Sequence, residues 1–204
     1  MPSQPVELPL FRAHTHRERI LADSSDRAAW LRARSRGITA TDVAALATPK
    51  SVRNVAYAKL HGTGFVGNAY TQHGIEREPV IAQWVQQNFG IAPSTALFHA
   101  EHDLRHLATP DGLRECADGT LELAEIKTTA KLWRSVPRNY LRQVWWQQYV
   151  LGAERTLLVW ERHENFVPVG NPEFRWIERD DEEIEKLLGL VDELIHTLIR
   201  ATSS

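Results

Sequence analysis

The centre of the fold is indicated by two segments of the sequence, Thr109-Pro110-Asp111-Gly112-Leu113 and Leu121-Glu122-Leu123-Ala124-Glu125-Ile126-Lys127. A turn signal precedes the second segment, which is typical of a β-strand that follows a hairpin turn. Side chains two positions apart project to the same face of a strand, so we expect Glu125 and Lys127 to lie side by side and Ile126 to face the core. The two segments therefore predict neighbouring strands that bring two carboxylates and a lysine together.

The rest of the chain alternates between helical and strand patterns. Helices are predicted at 26–35, 42–47, 51–60, 78–89 and 139–151 and from Asp180 onwards. Strands are predicted at 97–102, 105–109, 112–116, 120–127, 156–160, 166–169 and 174–177, with the first four arranged most simply as a β-meander. These patterns predict an α/β (α+β) fold, in which helices flank a central mixed sheet.

Length and composition favour one folded domain over residues 26–204, preceded by an irregular N-terminal arm over residues 1–25. No apolar run approaches the ~18–20 residues of a membrane span, and the N-terminus does not read as a signal peptide. Cys116 is the single cysteine, which excludes an internal disulfide and a cysteine-based zinc site. We therefore expect a cytoplasmic protein. The Gly-rich stretch 63–68 is predicted to be a loop and lacks the Gly-Lys-Ser/Thr ending of a phosphate-binding loop.

Charge is distributed unevenly along the chain, although the formal net charge is only −2. Residues 127–142 carry five cationic side chains and no acid, whereas acids concentrate at 178–185. Such runs are usually solvated faces, and contact with nucleic acid is the alternative interpretation.

The central carboxylates and lysine suit metal-assisted cleavage of a phosphodiester. Mg²⁺ takes hard oxygen ligands such as Asp111 and Glu125, and it can activate a water and stabilise the charge that develops. Lys127 would orient the water and offset charge, and Ile126 would lend its carbonyl oxygen to the metal. The alternative is a plain turn followed by an exposed strand pair, and the motif alone does not decide between the two.

Two flanking segments add polar groups that a nuclease site could use. Glu78, in Gly74-Ile75-Glu76-Arg77-Glu78-Pro79, could be a third carboxylate, or simply an acid favoured by a helix dipole. Gln143 and Gln147 lie one helical turn apart and could line a polar site or a solvent face.

Taken in order, these motifs resemble the YqaJ-like viral recombinases and the lambda-type phage exonucleases, within the PD-(D/E)xK nuclease superfamily. The resemblance rests on Arg-x-x-Gly-Ile-Thr-Ala-Thr-Asp, Gly-x-x-x-Glu-Pro, Thr-Pro-Asp-Gly-Leu, Glu-Ile-Lys and Asn-Tyr-x-x-Gln-Val-x-x-Gln, and runs from about Trp30 to the last helix. It implies a restriction-endonuclease-like core. It also implies catalytic roles for Glu78, Asp111, Glu125, Lys127 and Gln143, and DNA or 5′-phosphate contacts for Arg34, Thr41, Thr109, Lys131 and Arg134.

The resemblance implies Mg²⁺-dependent degradation of one strand of linear duplex DNA in the 5′→3′ direction, with Mn²⁺ as an expected substitute for Mg²⁺. The products would be 3′ overhangs for a single-strand annealing protein, the subunits would form a ring, and the setting would be a bacterial or phage-infected cell. Two alternatives stay open: a structure-specific endonuclease or nickase on the same site, and a DNA-binding assembly module that does not cleave.

Weaker signals come from histidines and tryptophans. Joint metal binding by His99, His102 and His106 is not expected, because 99 and 102 have opposite strand parity. The tryptophans at 133, 145 and 146 could stack on bases, although at least one of the adjacent pair is expected in the core.

Overall fold

The computed structural model describes residues 15–62 and 67–203 as one mixed α/β domain, so residues 1–14 and most of the Gly-rich stretch lie outside the described part. Six α-helices are present in the described residues: α1 (Arg27–Ser35), α2 (Ala40–Ala44), α3 (Pro49–His61), α4 (Ala69–Phe89), α5 (Arg138–Leu151) and α6 (Asp181–Thr202). Side chains cap several of them, as expected of Asp, Asn and Thr: Asp26 accepts from the Ala29 N–H, and Asp180 accepts from the Glu183 N–H.

The strands of the described residues form two main sheets. They are β1 (Ile20–Asp23), β2 (Ile38–Thr39), β3 (Ala92–Pro93), β4 (Ala96–His99), β5 (His106–Ala108), β6 (Gly112–Glu115), β7 (Leu121–Thr129), β8 (Arg155–Glu164), β9 (Val167–Pro168) and β10 (Glu173–Glu178). The larger sheet has the order β10-β8-β7-β6-β3, and β9 pairs with β8; the smaller sheet has the order β1-β4-β5-β2.

Strand β7 is the central element of the larger sheet. It runs antiparallel to β6 and parallel to β8, with Glu125 opposite Leu158 and Lys127 opposite Trp160. Leu123 packs in the core cluster that includes α5 and α6, whereas Ile126 packs in the cluster that includes α4. The odd-numbered residues of β7 therefore face α5, and the even-numbered residues face α4.

The predicted β-meander is wrong. β5 pairs with β4 and β2 in the smaller sheet, and β6 pairs with β7 in the larger one. The chain passes from one sheet to the other at Thr109-Pro110-Asp111, because a proline lacks the N–H that a continued ladder would need. The last two strands do not pair with each other, since β9 and β10 each pair with β8.

Three helix starts differ from the predicted ones. The predicted helix 78–89 begins nine residues earlier, at Ala69, with Asn68 as its cap, and Pro79 lies inside it. Thr39 caps α2, which begins at Ala40. Helix α3 begins at Pro49, two residues before the predicted start at 51, with Thr48 as its cap and the proline in its first turn.

Part of the segment expected to be irregular has regular structure. His16–Arg19 forms a 3₁₀ turn, and β1 pairs antiparallel with β4. The buried Arg19 guanidinium donates to the carbonyl oxygens of His99 and Leu151, and so ties this segment to the end of α5.

Candidate active site

Glu125 lies at the centre of the candidate site. Its side chain projects from β7 towards α5 and is only 2% exposed. Gln143 Nε2 donates to one carboxylate oxygen at 2.5 Å, and Gln147 Nε2 donates to the other at 2.6 Å. Lys127 Nζ also donates to Glu125. The expected strand parity and the one-turn spacing of the two glutamines are both confirmed, and Gln147 is as closely engaged as Gln143.

Asp111 is held against the same strand by the backbone. Its N–H donates to the Ala124 carbonyl at 3.0 Å, and its Oδ2 accepts from the Ile126 N–H at 2.7 Å. Burial raises the pKa of Asp111 well above its ordinary value, and the negative charges of Glu125 and Glu78 raise it further against the opposing effect of Lys127. Asp111 therefore lies in a site where a cation would be favoured.

Glu78 reaches the site from α4, on the other side of β7. The residue is exposed overall, but partial removal of its carboxyl from solvent raises the pKa, and Glu125 adds to the rise. Pro79 lies directly after it and has no N–H, so the Ile75 carbonyl loses its usual helical donor beside the site. The third predicted carboxylate is thus within electrostatic range of the other two.

Lys127 is the positive charge of this cluster. Burial lowers the pKa of its ammonium group, but the nearby Glu125 and Asp111 outweigh that effect and the pKa is raised. Nζ also lies 5.2 Å from the centre of the Tyr140 ring, whose face attracts a cation. Lys127 therefore stays protonated at neutral pH and can donate hydrogen bonds or stabilise negative charge.

The donor set fits a hard divalent cation, although it is not assembled as a closed cage. Three carboxylates face a single lysine, and the pKa values of Asp111 and Glu78 are raised first by burial and then by the charge of Glu125, which a bound cation would offset. In residues 15–62 and 67–203, however, no three acidic, histidine or cysteine side chains converge on one metal position. Glu125 instead has its oxygens engaged by Lys127 and the two glutamines.

The carboxylates open into a cleft of about 570 Å³ that also holds three of the predicted phosphate contacts, Arg34, Thr41 and Thr109. The Thr109 hydroxyl is buried and has no hydrogen-bond partner among the described residues. The Arg34 guanidinium lies 4.5 Å from the centre of the Trp30 ring, and burial lowers its pKa. The cleft thus combines an acidic end with cationic and hydroxyl groups.

Other predicted residues lie outside this lining. Lys131 and Arg134 are exposed on the segment that follows β7, and neither lines the cleft. Glu122 has the opposite strand parity to Glu125 and points to the other face of β7, where Arg155 and Arg114 bind it. Strand periodicity accounts for the direction of Glu122. It says nothing about Lys131 and Arg134, which follow the strand.

The tryptophan signals have structural explanations. Trp146 is fully buried and donates to the Leu107 carbonyl at 3.1 Å, and Trp145 is in the core as well. Trp133 packs between Tyr140 and Trp160, with ring centres 5.2 and 5.1 Å away. In the described residues, His99, His102 and His106 do not belong to any cluster of side chains that could hold a metal ion.

Several cleft residues had no role in the sequence interpretation. They are Ser24, Arg27, Trp30, Ile75, Ser94 and Thr95. The positions of Arg27, Trp30 and Arg34 at helical spacing give a signal for one shared face. Ser94 and Thr95 reach the cleft only through strand pairing, which no local pattern reports.

A cluster of carboxylates and a lysine at the central strand of a mixed sheet, backed by glutamines from a helix, defines the architecture of a PD-(D/E)xK nuclease. Residues 29–154 match the model of the YqaJ-like viral recombinase domain, and the chain belongs to that family. The resemblance predicted from the motifs is confirmed.

Solved structures of similar fold include LHK-Exo, an alkaline exonuclease from Laribacter hongkongensis. In its complex with dAMP, the LHK-Exo chain has 24% sequence identity to this chain. The TM-score is 0.63, and the match covers 84% of this chain and 92% of the LHK-Exo chain. A phage-related exonuclease from Haemophilus somnus is 17% identical, with a TM-score of 0.59 over 76% of this chain and 82% of that one. At these identities the likeness is one of fold, and the predicted fold class is confirmed. No curated protein sequence matches the chain.

None of the helices in the described ranges has the length and apolarity that crossing a membrane requires.

Proposed function

We propose that the chain is a Mg²⁺-dependent DNA exonuclease that degrades one strand of linear duplex DNA from its 5′ end and leaves 3′ overhangs. Membership of the YqaJ-like family and the fold shared with an alkaline exonuclease both point to a DNA nuclease. The observation that carries the proposal is the convergence of Asp111, Glu125 and Lys127, with Glu78 in electrostatic range, at one end of a cleft.

Each residue has a role that follows from its surroundings. Bound Mg²⁺ would supply a Lewis acid and an activated water, held by Glu78, Asp111, Glu125 and the carbonyl of Ile126, and Mn²⁺ would substitute for it. Lys127 is protonated and would stabilise the charge that develops on the phosphate. Gln143 orients Glu125 from α5 by a direct hydrogen bond.

An exonuclease is favoured over an endonuclease because the cleft holds a set of groups suited to a chain end. Arg34, Thr41 and Thr109 line the same cleft as the carboxylates. A terminal phosphate offers more charge and more acceptor oxygens than an internal one, so a guanidinium and hydroxyls can select it. Lys131 and Arg134 are proposed to contact the DNA outside this cleft.

The wider context belongs to the same proposal. A 3′ overhang is a substrate for a single-strand annealing protein, a ring of subunits would keep the enzyme on duplex DNA, and the setting would be the cytoplasm of a bacterial or phage-infected cell. The nuclease domain is proposed to span 26–204, and residues 1–25 are proposed to be an arm whose part from His16 onwards packs against that domain.

Cleavage assays test the site directly. Asp111→Ala and Lys127→Ala should each abolish release of nucleotides from a labelled linear duplex in Mg²⁺, and EDTA should abolish it for the unchanged chain. Glu173→Gln, at an exposed position of β10, is the control and should retain full activity. Mg²⁺-dependent cleavage by either site variant would contradict the assignment of the site.

The substrate form separates the alternatives. Covalently closed circles should stay intact, and linear duplexes with 5′-phosphate ends should be degraded faster than those with 5′-hydroxyl ends. Cleavage of closed circles would identify an endonuclease, and binding without any cleavage would identify a DNA-binding module.

A further inference from the structure

One wall of the cleft is built from the N-terminal segment, which no motif explains. Ser24 follows β1, and its N–H donates to the carbonyl of Thr95 at 3.3 Å. The Thr95 hydroxyl donates to Asp23 at 2.7 Å. These contacts join the β1–α1 connection to the β3–β4 connection, and Ser24, Ser94 and Thr95 all line the cleft. The cleft therefore extends beyond the groups proposed to hold a terminal phosphate.

Helix α1 begins on this wall and presents two arginines to the cleft, Arg27 and Arg34. Their guanidinium carbons lie 5.4 and 4.5 Å from the centre of the same Trp30 ring, which holds both against the wall. No carboxylate of residues 15–62 and 67–203 lies within 4 Å of either guanidinium, whereas Arg77 and Arg105 have carboxylate partners at 2.7 and 2.6 Å. Asp42 lies within electrostatic range of Arg34, but among the described residues neither arginine is in a salt bridge, and both face the cavity.

The two arginines start from different positions on the helix, seven residues apart, or about 10 Å along its axis. Their guanidinium carbons both lie beside the Trp30 ring and are therefore less than about 10 Å from each other. Arg34 is half-buried, whereas Arg27 is exposed at the helix start, next to the Ser24 side of the cleft. Two guanidiniums that line one cleft in this way can engage two neighbouring phosphates of one strand, one each. The buried Trp30 Nε1 between them has no acceptor among the described residues, so this wall also carries an unused donor.

We propose that Arg27 binds a second phosphate, an internal phosphodiester of the strand whose terminal phosphate lies near Arg34. This inference rests on the proposed function for the identity of the ligand as DNA. It gives the N-terminal segment a role, because β1 and the Ser24–Thr95 contact place the wall from which Arg27 acts. The site would recognise the backbone of a strand irrespective of its base sequence.

Binding measurements test the proposal without cleavage. Fluorescence anisotropy would follow labelled duplexes with 5′-phosphate or 5′-hydroxyl ends, with Ca²⁺ in place of Mg²⁺, over a range of salt concentrations. Arg27→Ala should weaken binding about tenfold, since one charge-assisted hydrogen bond is lost. It should also reduce the slope of log K against log salt by about 0.7–0.9, the value for one phosphate contact.

Comparison of duplexes with 5′-phosphate and 5′-hydroxyl ends distinguishes the role of Arg27 from that of Arg34. The Arg27→Ala loss should be the same for both ends, whereas Arg34→Ala should remove the preference for the 5′-phosphate. Arg32→Ala is the matched control, because Arg32 is an exposed arginine of the same helix that does not line the cleft. Arg27→Lys should recover part of the lost affinity and shows that the altered chain still folds.

Three results would overturn the inference: a loss confined to 5′-phosphate ends, an unchanged salt slope, or an effect no larger than that of Arg32→Ala. A failure of the proposed function looks different. In that case the unchanged chain would bind DNA with the full Arg27 effect but would not cleave it in Mg²⁺.

Discussion

Replacing Gln147 with methionine tests whether the glutamines of α5 hold Glu125 ready for catalysis. Gln147 is fully buried, and its Nε2 donates to a Glu125 oxygen at 2.6 Å. Methionine has a similar length and fills the same space, but it cannot donate. A hydrogen bond to a charged group contributes about 1.5–3 kcal/mol. If that energy orients Glu125 for the reaction, kcat/KM should fall by roughly ten- to 150-fold.

Gln148→Met is the matched control for this change. Gln148 is also fully buried, on the same helix, but it donates to the Thr156 hydroxyl at 3.1 Å and to the Ile177 carbonyl at 2.9 Å. Both glutamines carry a buried Oε1 without a partner among the described residues, so methionine removes one unsatisfied oxygen in each case. We therefore expect similar changes in stability from the two variants, and a loss of activity from Gln147→Met alone.

The assay combines thermal unfolding with initial rates on a 5′-phosphorylated linear duplex, expressed per folded molecule. The reasoning would be refuted if Gln147→Met cleaved within twofold of Gln148→Met. In that case the hydrogen bond to Glu125 would be a packing feature without influence on the chemistry.

Three further predictions follow from the surroundings of the site. Mg²⁺ at a hundred times its Kd should raise Tm by about 5–11 °C, because binding contributes about 2.7 kcal/mol, and Asp111→Asn should remove the rise in a calorimetric scan. Trp133→Leu should lower kcat with little change in KM, because Trp133 supports the Tyr140 ring that contacts Lys127, and Trp133→Phe should restore most of the rate. Burial lowers the pKa of His163, so the unfolded chain binds its proton more readily and stability should decline as the pH falls below about 6.5; His163→Phe should flatten that decline in unfolding curves measured from pH 8 to 5.

The centre of the site could be predicted because it depends on short-range periodicity. The two-residue repeat of a strand places Glu125 and Lys127 on one face and Glu122 on the other, and the one-turn spacing of α5 brings Gln143 and Gln147 to the same carboxylate. These relations are nearly independent of the rest of the fold, since they follow from backbone geometry alone.

Features that depend on competition between signals were harder to predict. Glu78-Pro79 looks like a helix start, since proline fits the first turn and an acid favours it. Asn68 offers a better cap eleven positions before Pro79, and α4 continues through the proline because Ile81, Ala82 and Val85 pack against the sheet. Tertiary packing thus outweighs the hydrogen bond that Pro79 removes, which leaves Glu78 well inside a helix.

Strand pairing was the other source of error, and it has a functional consequence. A meander would have kept Asp111 in a turn between two paired strands. Instead Pro110 ends the pairing of the smaller sheet, and Asp111 is the first residue to contact the larger one. Its N–H donates to the Ala124 carbonyl, and its carboxylate accepts from the Ile126 N–H. The carboxylate is fixed at the crossing between the two sheets, where the cleft opens. The same crossing brings Thr109, which directly follows β5 of the smaller sheet, and Glu125, from the larger sheet, into one cavity. A terminal phosphate bound by the first sheet would therefore lie beside the carboxylates of the second, which is the relation an enzyme that cuts near a chain end requires.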